Sequence, residues 1–218
     1  MIYLVGVGSG DPELITVKAL NVIKNAETVA GWKSVLDRFN LDKKLVYLNY
    51  KEQDKQIPEL VKLGKEKDVA ILFHGDPMVS DFQLFERIKR ECLKEGVKYV
   101  VISGISSVLR ALAVVEKDLS QIVFLTFHVR GELDYSLIEK SMSLGRDLLI
   151  IPEPYPDGVK KIAEKLLDIG CNPMLTVMEK LSFPDEKIYQ VTAKQVVEGG
   201  LKFSDLVIVY VPNCLNKG

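Results

Sequence analysis

Val69 to Ser80 reads V-A-I-L-F-H-G-D-P-M-V-S, and the fold follows from how that stretch is divided. Val69 to Phe73 is an unbroken apolar run without polar alternation, the pattern of a strand buried on both faces. It stops at His74-Gly75-Asp76-Pro77. Gly75 admits backbone angles that a Cβ forbids, and Pro77 fixes its own φ and brings no N–H. Ser80 with Gln83 then has the spacing of a capping box for a following helix. Strand, tight polar turn and helix in that order indicate an open α/β sheet, whose ligands sit beyond the carboxyl ends of the strands. Asp76 falls at that point and is the first candidate for the functional centre.

The pattern extends both ways. Ile2 to Val7 forms a strand that runs into Gly6-Val7-Gly8-Ser9-Gly10. Asp11 then has the position of an N-cap, and Pro12 that of a first helical residue. That helix is expected to continue to about Lys24. Further strands are expected at Glu27 to Gly31, Leu45 to Leu48 and Val97 to Ile102. Helices are expected at Trp32 to Phe39, Ile57 to Lys65 (with Pro58 in its first turn), after Ser80 as far as Gly96, and Val108 to Val115. Strand and helix alternate, so the sheet is mainly parallel with flanking helices.

The second half differs. Ile122 to Phe127 and Asp147 to Ile151 read as strands, and Val159 to Leu167 as a helix. Met174 to Leu181 and Lys187 to Val191 form a hairpin around Pro184-Asp185. Thr192 with Gln195 is a second capping box, and Leu206 to Val211 is a closing strand. This is a mixed sheet. The reading is an α/β protein of two α/β domains, an N-terminal one over residues 1–120 and a C-terminal one over 121–218. Asn213 to Gly218 read as a frayed end.

Composition excludes several classes. The chain has 218 residues, 47% hydrophobic and 27% charged, with a net charge of −1. Nothing in that balance attracts nucleic acid or an anionic membrane. No apolar run suits a membrane span, and Met1 to Val5 lacks the basic region of a signal peptide, so the expected location is cytoplasmic. Cys92, Cys171 and Cys214 are widely spaced and, with only His74 and His128 as imidazoles, argue against a metal site; free thiols are expected.

The glycine-rich first loop invites a dinucleotide reading, which its details oppose. Asp11 stands where the third glycine of G-x-G-x-x-G belongs, and a carboxylate there repels a pyrophosphate from the helix dipole. Val29-Ala30-Gly31-Trp32 supplies no acidic residue at the end of the second strand. No Walker lysine follows.

Taken together, V-G-V-G-S-G-D-P-E-L-I-T-V-K-A-L at Val5 to Leu20, H-G-D-P at His74 to Pro77 and S-G-I-S-S-V at Ser103 to Val108 resemble the tetrapyrrole (corrin/porphyrin) methyltransferases. F-H-V-R at Phe127 to Arg130 and M-E-K-L-S-F-P-D-E at Met178 to Glu186 resemble its precorrin-6Y or cobalt-precorrin-7 C5-methyltransferase branch, of cobalamin biosynthesis. The likeness spans the chain in order. It departs from the family pattern at Ser9 and Ser103, where proline is usual, and at Val129, where the branch usually has glycine.

That resemblance implies a homodimer binding S-adenosylmethionine in a cleft between the domains. It implies cofactor contacts at Gly75, Asp76, Pro77, Val79, Ser106 and Ser107, and substrate contacts at Gly8, Ser9 and Gly10. A methyl sulfonium is cationic, so carboxylate and carbonyl oxygens suit it better than the amides of a phosphate loop. Asp76, His128 and Glu179 are the candidates for a catalytic base. Arg110 and Arg130, with Lys33 and Lys180, are candidates to meet the carboxylates of a corrinoid substrate. A separate C15-methyltransferase/decarboxylase is an implied partner. The competing readings are a diphthine synthase or ribosomal-RNA 2′-O-methyltransferase on the same scaffold, and a non-catalytic S-adenosylmethionine-binding module.

Overall fold

Two five-stranded sheets organise a computed structural model that describes residues 1–215. The chain divides into two units, Met1–Ser106 and a second beginning at Ser107. In the first, β1 (Ile2–Gly6), β2 (Thr28–Gly31), β3 (Lys44–Tyr47), β4 (Val69–Phe73) and β5 (Tyr99–Ile102) are all parallel, in the order β3-β2-β4-β1-β5. The apolar run Val69–Phe73 is therefore an interior strand, and every residue of β4 is buried.

Its two faces enter different cores, as strand periodicity requires. Val69, Ile71 and Phe73 cluster with Ile57 and Leu60 of α3 (Gln53–Leu63) and Leu84 and Ile88 of α4 (Phe82–Glu95). Ala70 and Leu72 cluster with Ala19 and Ile23 of α1 (Val17–Asn25) and Val35 and Leu36 of α2 (Lys33–Leu36). Cys92 belongs to the α4 core, and burial pushes its thiol up to about 11. Leu93, beside it, is 68% exposed.

The second unit begins with α5 (Ser107–Val115) and holds a mixed sheet of order β6-β7-β10-β8-β9. Its strands are β6 (Ile122–Thr126), β7 (Asp147–Ile151), β8 (Met174–Glu179), β9 (Lys187–Thr192) and β10 (Val207–Val211). β6 and β7 are parallel, β10 runs antiparallel to both β7 and β8, and β8 forms the expected hairpin with β9. One core joins the sheet to α6 (Ser136–Met142), α7 (Gly158–Asp168) and α8 (Ala193–Glu198). α5 packs on β10. The Thr192–Gln195 capping box forms as read.

Local expectations fail where a side chain competes with the helix. The single helix expected from Pro12 is instead a 3-10 turn at Pro12–Leu14, capped by Asp11, followed by α1. Thr16 makes the break: its hydroxyl oxygen accepts from the Ala19 N–H at 3.1 Å and caps the new helix. α3 starts at Gln53, so Pro58 is interior to it rather than in its first turn. The N-cap residue of α4 is Asp81 rather than Ser80, which takes a left-handed φ of 69°. α6 went unrecognised between two strands; its seven residues are too few to display a period.

The free-thiol expectation is corrected for two cysteines, since Cys171 and Cys214 form a disulfide. Asn213 explains how they meet. Its amide side chain donates to the carbonyls of Met142 and Arg146 (2.6 and 3.0 Å), and its N–H to Asp147 Oδ1 (2.9 Å). This brings the two Cα atoms to 5.9 Å, inside the range a disulfide bridges. Residues 213–215 are thus anchored rather than frayed, and 216–218 lie outside the described residues. Because the bond closes a loop with a sequence separation of 43 residues, Cys214→Ser should lower unfolding free energy by about 4 kcal/mol under non-reducing conditions. Urea denaturation with and without a thiol reductant checks this, the reductant having no further effect on the variant.

Candidate functional site

Five parallel strands place five carboxyl ends on one edge of the first sheet. At its middle, the chain segments after β1, β4 and β5 pack backbone against backbone. Gly8 N–H donates to Gly75 O (3.1 Å) and Gly75 N–H to Gly8 O (3.0 Å). A Cβ on Gly104 would lie 2.2 Å from Gly75 O, and one on Gly6 would lie 2.6 Å from the same atom. Gly75 itself has φ +67°, and Ser106 Cα would be 3.3 Å from its added Cβ. Only residues without side chains let three strand ends converge so closely.

Asp76 ties this junction together. One carboxylate oxygen accepts from the Met78 N–H in its own turn (2.7 Å), the other from the Gly104 N–H at the end of β5 (2.9 Å). It is 8% exposed. The carboxylate expected to face a ligand is first of all a strut between two loops. Pro77, Ser106, Gly8 and Ser9 are buried at the same edge, and Gly10 and Val79 are half-buried there. Ser107 opens α5 in the second unit.

Arg38, which no motif indicated, donates to the Gly8 and Val7 carbonyls at 3.1 and 3.3 Å. Burial pulls its guanidinium below the usual value. Burial, then the Arg38 charge, lowers His74 to about 4, so this imidazole is neutral at pH 7. Burial raises the Asp81 carboxyl to about 6. Lys33 is exposed and pairs with Asp37 at 2.6 Å.

In the second unit, β6, β7 and β8 run in one direction, so His128, Glu153 and Glu179 share an edge with Asp205, which precedes β10. Burial lowers the His128 pKa, with Asp205 opposing. Glu179 accepts from the Tyr189 hydroxyl (3.1 Å) and from the Ser204 N–H. Arg130 follows His128 in the loop beyond β6, while Arg110 on α5 approaches Glu186 at 3.8 Å and Lys180 pairs with Asp185. Glu153 was missed. It is 7% exposed, accepts from the Tyr135 hydroxyl and forms an ion pair with Lys161 (2.9 Å). Its signal was a lone acid, between two prolines, directly after an apolar strand.

Among the described residues, no group of three or more His, Cys, Asp or Glu could hold a metal, and no helix is long and apolar enough to cross a membrane. A depression of about 460 Å³ lined by Tyr3, Val17, Asn21 and Asp68, among others, lies toward the amino ends of β1 and β4, away from these groups.

Residues 1–197 match the tetrapyrrole (corrin/porphyrin) methylases. The chain belongs to that family. It is 31% identical, over 93% of its length and 94% of the relative's, to a probable cobalt-precorrin-7 C(5)-methyltransferase of Methanocaldococcus jannaschii. It is 33% identical to a uroporphyrinogen-III C-methyltransferase of Bacillus subtilis, over 78% of this chain and 71% of that one. The crystal structure of a precorrin-6Y methylase from Archaeoglobus fulgidus superposes with a TM-score of 0.76 at 26% identity, covering 99% of both chains.

This tetrapyrrole methylase is therefore an S-adenosylmethionine-dependent methyltransferase. The donor set of the first edge fits that cofactor. It offers main-chain carbonyls, a carboxylate and the Ser106 hydroxyl, a neutral imidazole at His74, and a glycine junction that any Cβ would fill.

Two outcomes test the edge. Asp76→Ala strips acceptors from two amides, and denaturation should show a loss of about 2 kcal/mol or more. For His74, the unfolded imidazole takes up its proton near pH 6.5 and the folded one only near 4. Its stabilising contribution is complete above pH 6.5 and is lost as pH falls toward 4. Between about pH 7.5 and about pH 5, His74→Asn should lose less stability than the parent by on the order of 2 kcal/mol, measured by urea titration at each pH. Asp81 works in the opposite sense, gaining stability as pH falls through 6.

Proposed function

We propose that this tetrapyrrole methylase transfers a methyl group to C5 of a corrinoid precursor, cobalt-precorrin-7 or precorrin-6Y, in cobalamin biosynthesis. The observation that carries the reading is the likeness to the M. jannaschii enzyme over nearly the whole of both chains. The Archaeoglobus structure, similar across 99% of each chain, supports it.

When bound, S-adenosylmethionine supplies an electrophilic methyl group on a cationic sulfur. The rest falls to the chain. Gly75, Asp76, Pro77, Val79 and Ser106 would hold the cofactor at the first edge, with Ser107 following. The proposal assigns Asp76 a double role. Its backbone tie sets the shape of the turn, and the second lone pair of each oxygen presents negative charge to a cation. Neutral His74 adds no opposing charge. Gly8, Ser9 and Gly10 form the floor on which substrate rests, and Arg38 holds that floor by its carbonyls.

In the second unit, Arg110 and Arg130 would meet substrate carboxylates. Methyl transfer to an electron-rich carbon depends mainly on alignment along the approach line. Where a proton must leave the methylated carbon, His128 suits the task better than Asp76 or Glu179. Burial keeps its imidazole neutral, and a neutral imidazole accepts a proton. The two carboxylates already accept main-chain N–H donors.

S-Adenosylhomocysteine should bind and, at about a hundred times its Kd, add about 2.7 kcal/mol of stability. Calorimetry and thermal melting read this. Incubation with S-adenosylmethionine and purified cobalt-precorrin-7 precursor should add one methyl group, located at C5 by NMR. Cofactor binding without turnover, or methylation at another carbon, overturns the substrate assignment.

A further inference from the structure

The ends of β2 and β3 lie on the same edge as the Gly75–Asp76 turn, and aromatic rings stand at or just beyond them. Trp32 follows β2 directly and stacks on Tyr50, ring centroids 4.2 Å apart at 24°. Tyr47 ends β3, with Lys33 Nζ 5.7 Å from its ring centroid. Trp32 is half-buried, its ring packed against both cores of the first unit, and the two tyrosines stand outside them. Tyr50 is 59% exposed and Tyr47 45%.

The surface is also held in shape. Gln56 of α3 donates from its side chain to Tyr47 O and accepts from the Asn49 N–H, both at 2.9 Å. Asn49 Oδ1 accepts from the Lys51 N–H at 2.9 Å. The Leu48 N–H, donating to Gly31 O at 2.8 Å, carries the β2–β3 ladder past the end of β3. A loop fixed by that many bonds presents Tyr50 in its stacked position before any ligand arrives, so little ordering cost remains for binding.

From this we infer that the Trp32–Tyr50 stack, with Tyr47 and Lys33 at its rim, is a subsite for one face of the conjugated, carboxylate-bearing macrocycle. Aromatic faces stack on extended π-systems. Lys33 gives the rim a cation. Its partner Asp37 is a surface ion pair of small net worth, so exchanging it for a substrate carboxylate costs little. Position agrees: in the order β3-β2-β4, β4 is two strand spacings from β3, about 10 Å, a span a tetrapyrrole ring bridges. The inference rests on the corrinoid reading and adds where on the first sheet the ring lies.

Fluorescence titration with uroporphyrin, a conjugated ring with carboxylates around its rim, tests it without any methyl donor. The wild type should bind. Tyr50→Ala should weaken binding roughly threefold to tenfold, while Tyr50→Phe retains it. Melting temperature and S-adenosylhomocysteine affinity should be unchanged in both variants. Lys33→Gln should reduce the salt dependence of uroporphyrin binding. Undiminished binding by Tyr50→Ala, an equal loss in Tyr50→Phe, or no binding by the wild type overturns the subsite. Failure to methylate a corrinoid precursor while uroporphyrin binding follows this pattern strikes the substrate assignment and leaves the subsite standing.

Discussion

Everything at the first edge depends on three strand ends meeting without side chains between them. Gly6, Gly75 and Gly104 allow main-chain atoms to approach at distances that a single methyl group would prevent. The approach leaves amides needing acceptors, and Asp76 takes two of them with one carboxylate. Close packing and hydrogen bonding thus demand the same turn. Neither alone would fix it, because a glycine junction without the carboxylate has unsatisfied donors. A carboxylate without the glycines could not reach Gly104.

The electrostatics of that edge follow from burial more than from pairing. Arg38 is drawn inward until its guanidinium donates to carbonyls of the first loop, and its charge then helps to keep His74 neutral. Under the proposed reading, in which this edge accepts a sulfonium, the cofactor is served by this arrangement. Its oxygens face the edge, its imidazole is uncharged, and its cation is committed to shaping the loop. A phosphate-binding loop would need the reverse.

The legible part of the sequence was whatever repeats with a period or punctuates it. β4 is legible to the residue, because a five-residue apolar run bounded by Asp68 and His74-Gly75 is too short for a helix and is closed by turn residues. The hairpin of β8 and β9 and the Thr192 cap were equally plain. What escaped were consequences of the chain meeting itself at long range. Thr16 capping a second helix is local but ambiguous, since threonine tolerates either state. The Cys171–Cys214 bond depends on Asn213 docking beside Met142, which no spacing reveals. Nothing in the sequence around Glu153 indicates that it is buried, and its place beside Tyr135 and Lys161 is a tertiary fact. The candidate residues of the first loop, the Gly75 turn and Ser106 were found by motif. Asp76's structural duty was not, because a motif names a residue without saying what else it touches.

The strand order has a consequence for how the chain assembles. β1 precedes β2, β3 and β4 in the chain, yet its neighbours are β4 and β5, with Ile2 opposite Val69 on one side and Tyr99 on the other. β2 pairs with β3 and β4, never with β1. The apolar segment Ile2–Gly6 therefore finds its β4 partner only some seventy residues further along the chain. Pairing across the middle of this sheet is therefore non-local, and the slot between β2 and β1 closes only when the later strand β4 inserts.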